Sequence, residues 1–330
     1  MNVKEISEFL KGADDNFLFK HANRIRKKYC GDGVFLRALI EFSNVCFKNC
    51  FYCGLRRENK KLKRYSMSYN EIYKIALIAK DLGFKTVVLQ SGEKSMDVDK
   101  FCEVIKKIKD LGLVITLSLG ELDKDYYRKF KDSGADKFLL KFETSNRSLY
   151  EYLKPDSHYD KRFKILEWLR DMGYEVGSGI MVGLPGQSIE DIASDIMIFK
   201  KLDLDMISVG PFVPNPDTPL GNARIIDENI FLRAIAITRI VNKNVHMPAT
   251  TSAEVLYEDG RKKALLWGAN VIMPDITPKE YSLKYIIYPG KEKIIGNARN
   301  IISDVEKMLL GISRYISQDE GRSLKRRVYG

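Results

Sequence analysis

Short apolar or β-branched runs alternate with stretches of helical periodicity along nearly the whole chain, and nothing else in the sequence limits the fold so narrowly. Runs of this kind predict strands at 35–42, 85–90, 113–119, 137–142, 175–182, 205–209, 246–251 and 267–273. The intervening periods predict helices over 69–82, 98–111, 124–133, 161–172, 189–202 and 228–242. Ser68, with Glu71 three residues on, forms a capping-box pattern at the start of the first of these. Glycines in DLGF, DLGL, DSGA and DMGY fall where helix ends need a left-handed residue. Eight strands alternating with helices predict an α/β protein, a (β/α)8 TIM-type barrel, closed or nearly closed. Residues 1–34 are expected to form helices ahead of the barrel and 35–275 the barrel itself. Residues 276–330 read as a C-terminal closing segment, with a helix over 297–310 and a basic tail, GRSLKRRVYG. A prior of ~150 residues per domain suggests about two domains. The unbroken alternation favours one domain over all 330 residues instead.

Composition excludes several classes. With 45% hydrophobic and 30% charged residues, the chain is neither disordered nor fibrous. The start, MNVKEISEFLKG, carries charges where a signal peptide needs an apolar run, and no run of 18 apolar residues occurs. A soluble, cytoplasmic protein without a membrane partner is expected. The 55 Lys and Arg exceed the 44 Asp and Glu, for a net charge of +11. KKLKR at 60–64 lacks interleaved aromatics, so no nucleic-acid partner is expected. The excess reads as a lysine-rich outer surface suited to acidic partners.

Five cysteines are too few for a disulfide scaffold. Cys46, Cys50 and Cys53 fall together in VCFKNCFYCGLRR, a C-x3-C-x2-C cluster on a loop directly after the first predicted strand. In (β/α)8 barrels that end of the strands carries the chemistry. Structural zinc wants four ligands, and none of His21, His158 and His246 lies within twenty residues of the loop. An iron–sulfur cube normally takes four cysteines, so three would leave one iron open to an outside ligand. A zinc loop with a distant fourth ligand and a redox thiol pair are the alternatives. Cys30 and Cys102 stand alone and read as ordinary buried thiols.

Polar residues also gather at the other strand ends. They include Gln90, Ser91, Gly92 and Glu93 in QSGE; Thr116, Ser118 and Glu121 in TLSLGE; Lys141 and Glu143 in KFET; and GLPGQ at 183–187. GPFVPNPDTPL, PATT and GANVIMP follow. Singly, Ser118 or Thr251 reads as a cap, Met273 as core and Gly183–Gly186 as a turn. Together such groups must converge on a cavity.

The cysteine spacing, with Tyr52 before the last cysteine, resembles the radical S-adenosylmethionine (SAM) superfamily. CGLRR, LKRY, VLQSGE, TLSLGE, MVGLPGQ, GPFVPNPDTPL, PATT, GANVIMP and YPGK together resemble the HydE family of FeFe-hydrogenase maturases, from about residue 46 to 291. Biotin synthase and methylornithine synthase are relatives of that family. The resemblance implies a radical SAM barrel and an enzyme that cleaves SAM reductively to a 5′-deoxyadenosyl radical. That chemistry would act on a small iron carbonyl/cyanide-type precursor during assembly of the hydrogenase two-iron subcluster. One [4Fe-4S] cluster on Cys46, Cys50 and Cys53 and SAM are the implied cofactors. Tyr52, Gly92, Glu93, Ser118, Glu143 and Arg162 are the implied SAM contacts. Gln90, Ser91, Thr116, Lys141, Met206, Pro211, Thr250, Thr251, Met273 and Tyr288 are the implied substrate cavity. The implied partners are a small organometallic or amino-acid-derived substrate, a reducing electron donor and the other hydrogenase maturases. Lys141-Phe142 stands where the family leads one to expect Arg-His, and lysine lacks the planar fork of arginine. No cysteine follows Cys102, so a second cluster is not expected. A methylornithine-synthase-like mutase and a biotin-synthase-like sulfur inserter are the alternatives.

Overall fold

The computed structural model describes residues 1–294 and 296–325. Eight strands lie in one parallel sheet: β1 Gly33–Ser43, β2 Thr86–Ser91, β3 Val114–Ser118, β4 Lys137–Leu139, β5 Glu175–Val182, β6 Met206–Pro211, β7 Val271–Ile272 and β8 Tyr315–Ile316. Seven run in the order β6-β5-β4-β3-β2-β1-β7, and β8 pairs with β1. Helices α1 Val3–Lys11 and α2 Asp15–Cys30 precede the sheet. Around it lie α3 Tyr69–Asp81, α4 Val98–Asp110, α5 Lys124–Asp132, α6 Arg147–Leu153, α7 Tyr159–Asp171, α8 Ile189–Leu202 and α9 Glu228–Val241. Then come α10 Thr251–Leu256, α11 Gly260–Leu266, α12 Lys279–Ser282 and α13 Ala298–Leu310.

The helix signals act as their chemistry predicts. Ser68 and Glu71 close a reciprocal capping box on α3, and Gly83, Gly112, Gly134 and Gly173 turn left-handed just past α3, α4, α5 and α7. Between sheet and outer helices, Phe101, Tyr127, Phe130, Phe138 and Tyr174 are buried and meet edge-on at 5.1 to 5.8 Å.

The barrel closes less completely than eight equal strands would. Residues 246–251 do not form a strand: single bridges, Met206↔His246 and Pro248↔Val271, span the seam between β6 and β7. Pro248 has no N–H for a ladder, and the chain turns into α10 at Thr251. The sheet is therefore an open parallel path whose seam is only stitched. β4 is also shorter than 137–142, because the backbone leaves the ladder and Glu143 takes φ +67° before a single bridge to Ile180. Helices α6, α10 and α11 and strand β8 carry no strong sequence period and were not anticipated.

At the N-terminal end of the strands, residues 317–325 lie across the barrel. The Gly321 carbonyl accepts from Lys137 Nζ and, at 3.5 Å, from Arg37 Nη2. Thr86 Oγ1 donates to the Glu320 carbonyl at 2.9 Å, and His246 Nε2 donates to that of Arg322 at 2.8 Å. Asn270 Nδ2 faces His246 Nδ1 at 3.3 Å, which fixes the tautomer, and burial holds the ring neutral. The last five residues of the expected basic tail lie outside the described residues. Among the described residues, no helix is long and apolar enough to cross a membrane.

Candidate active site

The loop after β1 holds its shape through one side chain. Arg64 donates from Nη1 to the carbonyls of Asn44 and Leu55, both at 2.8 Å, and from Nη2 to those of Arg56 (2.6 Å) and Asn59 (3.3 Å). Gly54 sits where an added Cβ would lie 2.1 Å from the Ile286 carbonyl oxygen, so the 285–291 segment packs directly on the loop. Cys46, Cys50 and Cys53 are all free thiols and partly exposed at its mouth. Burial pushes the thiols of Cys46 and Cys53 up, so without a bound cation they stay protonated. Among the described residues, no three His, Cys, Asp or Glu side chains are arranged around a single point in this structure.

Below the thiols, charged residues from three loops interlock. Arg162 on α7 is buried, with Nη2 2.8 Å from Glu121 Oε1 and 3.6 Å from Glu93 Oε1. Burial opposes its charge, but Glu121, Tyr150 and Glu93 outweigh it and hold the guanidinium firmly protonated. Burial likewise works against the Glu121 carboxylate, while Arg162, Ser157 and Lys48 bring its pKa below the ordinary value. Lys48 Nζ is 3.4 Å from Glu121 and 3.8 Å from Glu93 Oε2. Glu93 Oε2 is buried without a hydrogen-bond partner. Beside it, a Cβ on Gly92 would stand 2.2 Å from the Val45 carbonyl oxygen and 2.8 Å from Cys46 Cβ, so the chain passes close against the cysteine loop.

A cavity of about 340 Å³ joins these groups. The three cysteines, Tyr52, Gly92, Glu93, Ser118, Glu143 and Arg162 line it, as do Gln90, Ser91, Lys141, Pro211, Thr250, Thr251, Met273 and Tyr288. The strand positions of Leu39, Leu139 and Ser208 put them at its depth, with the cysteines at its mouth. Lys141 Nζ lies 2.8 Å from Glu143 Oε2, and its stem crosses Gly179, where a Cβ would meet Lys141 Cε at 2.9 Å.

Two expected cavity residues are elsewhere. Met206 starts β6 and sits 2.8 Å from Arg37 Nη1 near the stopped end of the barrel, not in the cavity wall. Thr116 is on β3 two residues below Ser118, buried, with its hydroxyl unpartnered. Ser118 is a wall residue and Gly183–Gln187 a structural turn: Gln187 Oε1 accepts from Gly183 N at 2.8 Å, and its Nε2 donates to the Met181 carbonyl at 3.0 Å. Cys30 ends α2, Cys102 is buried on α4, and neither lines the cavity.

Other wall residues escaped the sequence reading. Lys291 is buried against Glu41 and lies 3.4 Å from Asp275; burial pushes the Glu41 carboxyl well up, while the two carboxylates overcome burial to hold Lys291 charged. The only signals were an acidic residue inside the apolar run FLRALIEF and the lysine of YPGK. Ser208, Ser252, Lys48, Lys154 and Tyr285 also line the cavity.

Comparison with known proteins agrees with this geometry. Residues 40–199 match the Radical SAM superfamily model, and 208–318 match the Biotin and Thiamin Synthesis associated domain. The chain is 47% identical over 305 residues to the [FeFe] hydrogenase maturase subunit HydE of Thermotoga maritima, covering 92% of this chain and 88% of that protein. It is 30% identical over 312 residues to 3-methylornithine synthase of Methanosarcina acetivorans, with 93% and 84% covered. The crystal structure of a methylornithine synthase superposes with a TM-score of 0.81 at 26% identity, over 96% of this chain and 94% of that one. By this likeness and this site, the chain is an enzyme of the radical SAM superfamily and belongs to its HydE family.

Proposed function

We propose that this protein uses SAM radical chemistry on a small iron carbonyl/cyanide-type precursor, in assembly of the hydrogenase two-iron subcluster. The observation that carries the SAM reading is the placement of three partly exposed thiols beside Glu93, whose buried Oε2 accepts no hydrogen bond and suits an ammonium group. Cys46, Cys50 and Cys53 would hold a [4Fe-4S] cluster, and Gly92, Glu93, Ser118, Glu143, Arg162 and Tyr52 would hold SAM. When bound, the pair supplies reductive cleavage of SAM to methionine and a 5′-deoxyadenosyl radical.

The chain's own residues do the rest. Glu93 receives the amino group, while Arg162 and Lys48, 3.6 and 3.8 Å away, hold its carboxylate in place. The buried walls keep water and other hydrogen donors away from the reacting atoms. Lys141, Gln90, Ser91, Thr250 and Thr251 present a cation, an amide and hydroxyls to an anionic cyanide-bearing ligand, and Pro211, Met273 and Tyr288 shape the wall. The second family match runs from β6 to past α13 within the same sheet, which supports reading the chain as one domain. Five free thiols fit a reducing cytoplasm. The other hydrogenase maturases are the proposed co-workers.

The test is complementation of a hydrogenase-producing host lacking its own HydE. Restored hydrogenase activity supports the maturase. Failure there, with rearranged product from lysine, moves the chain to the second reading. The Lys141–Glu143 pair favours that reading, since a paired cation and carboxylate also suit an amino-acid zwitterion.

A further inference from the structure

We propose that the rim of the cysteine loop is the docking surface for an acidic, ferredoxin-type one-electron carrier protein. The inference rests on the cluster reading above and names the partner of that same loop.

Between Cys46 and Arg64 the chain carries Lys48, Arg56, Arg57, Lys60, Lys61, Lys63 and Arg64 against one carboxylate, Glu58. Lys48 and Arg64 are spent inside the fold. Arg57 pairs with Glu58 at 3.2 Å and Lys61 with Asp217 at 2.6 Å. Lys60 and Lys63 are exposed, and their ammonium groups have no partner among the described residues. No helix contains this segment, so no helix dipole accounts for its charge. By contrast, the lysines Lys28, Lys200 and Lys243 gather at or just past the C-terminal ends of α2, α8 and α9, where the dipole favours them.

The charged rim has an apolar centre. Phe47, next to Cys46, is 53% exposed and Tyr152 is 55% exposed. Tyr152 meets Phe51 edge-on at 5.4 Å, and the Arg56 guanidinium sits 5.7 Å from the Phe51 ring. Arg57 Nη1 donates to the Phe47 carbonyl at 3.0 Å and ties rim to loop. Exposed aromatics with arginine, rimmed by an excess of positive charge, are what a small and short-lived protein contact uses. The lysines would steer an acidic partner onto the face where the thiols reach the surface. In the contact one electron leaves the reduced carrier and enters the centre held by the three cysteines, and no atom is transferred.

The experiment measures binding of an acidic ferredoxin to the full chain by surface plasmon resonance, with and without its iron, across a salt series. Wild type should bind at low salt and weaken as salt rises. Lys60→Glu/Lys63→Glu should weaken binding about tenfold or more and flatten the salt dependence. Lys106→Glu/Lys107→Glu, the same charge change on the exposed face of α4, should stay within about twofold of wild type. If the loop reversal fails to fold by circular dichroism, Lys60→Gln/Lys63→Gln must still rank below the α4 variant. Equal loss in both variants, unchanged binding in the loop variant, or a wild type that ignores ferredoxin but captures single-stranded RNA would each overturn the docking surface. Dithionite-driven SAM cleavage, which needs no carrier, is measured beside it. Its absence in every form would count against the cluster reading and leave the affinities to judge the docking surface.

Discussion

Glu93 and Gly120 occupy one small volume: a Cβ on Gly120, which sits at φ +75°, would lie 2.0 Å from Glu93 Cγ. The freedom of a glycine at the end of TLSLG is thus what lets the carboxylate of QSGE lie under the cysteine loop. Gly120→Ala should displace Glu93 and weaken SAM binding about tenfold, or ~1.4 kcal/mol, by isothermal titration calorimetry. Unchanged affinity would remove Glu93 from the proposed contact.

Arg162 and Glu121 are both buried, so removing one leaves a charge away from water and without its main counter-ion. Arg162→Met should cost about 3–5 kcal/mol in urea unfolding, toward the lower figure because Lys48 remains 3.4 Å from Glu121. Adding Glu121→Gln should recover much of that loss. A double variant no better than the single would show that the pair is not coupled.

Asp195 on α8 accepts from Ser145 N and Oγ, and burial lifts its carboxyl to about 7. Its folded pKa lies above the unfolded value, so the folded state binds this proton more tightly. The stabilisation is full below the unfolded value and is lost as pH rises through about 7. Each unit of displacement is worth about 1.4 kcal/mol. Between about pH 4 and 7, wild-type stability should therefore fall relative to Asp195→Asn. Parallel stability curves for the two proteins would refute the assignment.

Anaerobic reconstitution should load about four irons per chain, and Cys50→Ala should lose both the charge-transfer absorption and SAM cleavage. Cys102→Ala, buried on α4 away from the cavity, should keep both. Full activity in Cys50→Ala would eliminate the cluster.

The barrel was legible because it rests on local rules. The capping pairs, the glycines past the helices and the apolar runs of β1, β2, β3 and β5 each declare themselves within a few residues. The three thiols were legible for the same reason. What stayed hidden depends on partners far along the chain. Lys291 meets Glu41 across 250 positions, and no short window contains both. The 246–251 segment has the composition of a strand, but Pro248 and the turn into α10 reduce it to single bridges. The family pattern puts Met206 in the cavity, whereas its place at the first residue of β6 sets it just beneath the cavity floor, against Arg37.

The Gly321 carbonyl, held by Lys137 and Arg37, has a consequence for traffic. With that end stoppered, Leu39, Leu139 and Ser208 line the end of the cavity away from the cysteines. If SAM sits above that floor as proposed, a molecule reacting on the floor would be loaded before it and its product would leave after it. On the proposed placement, the order of arrival and departure would then follow from the shape of the shaft.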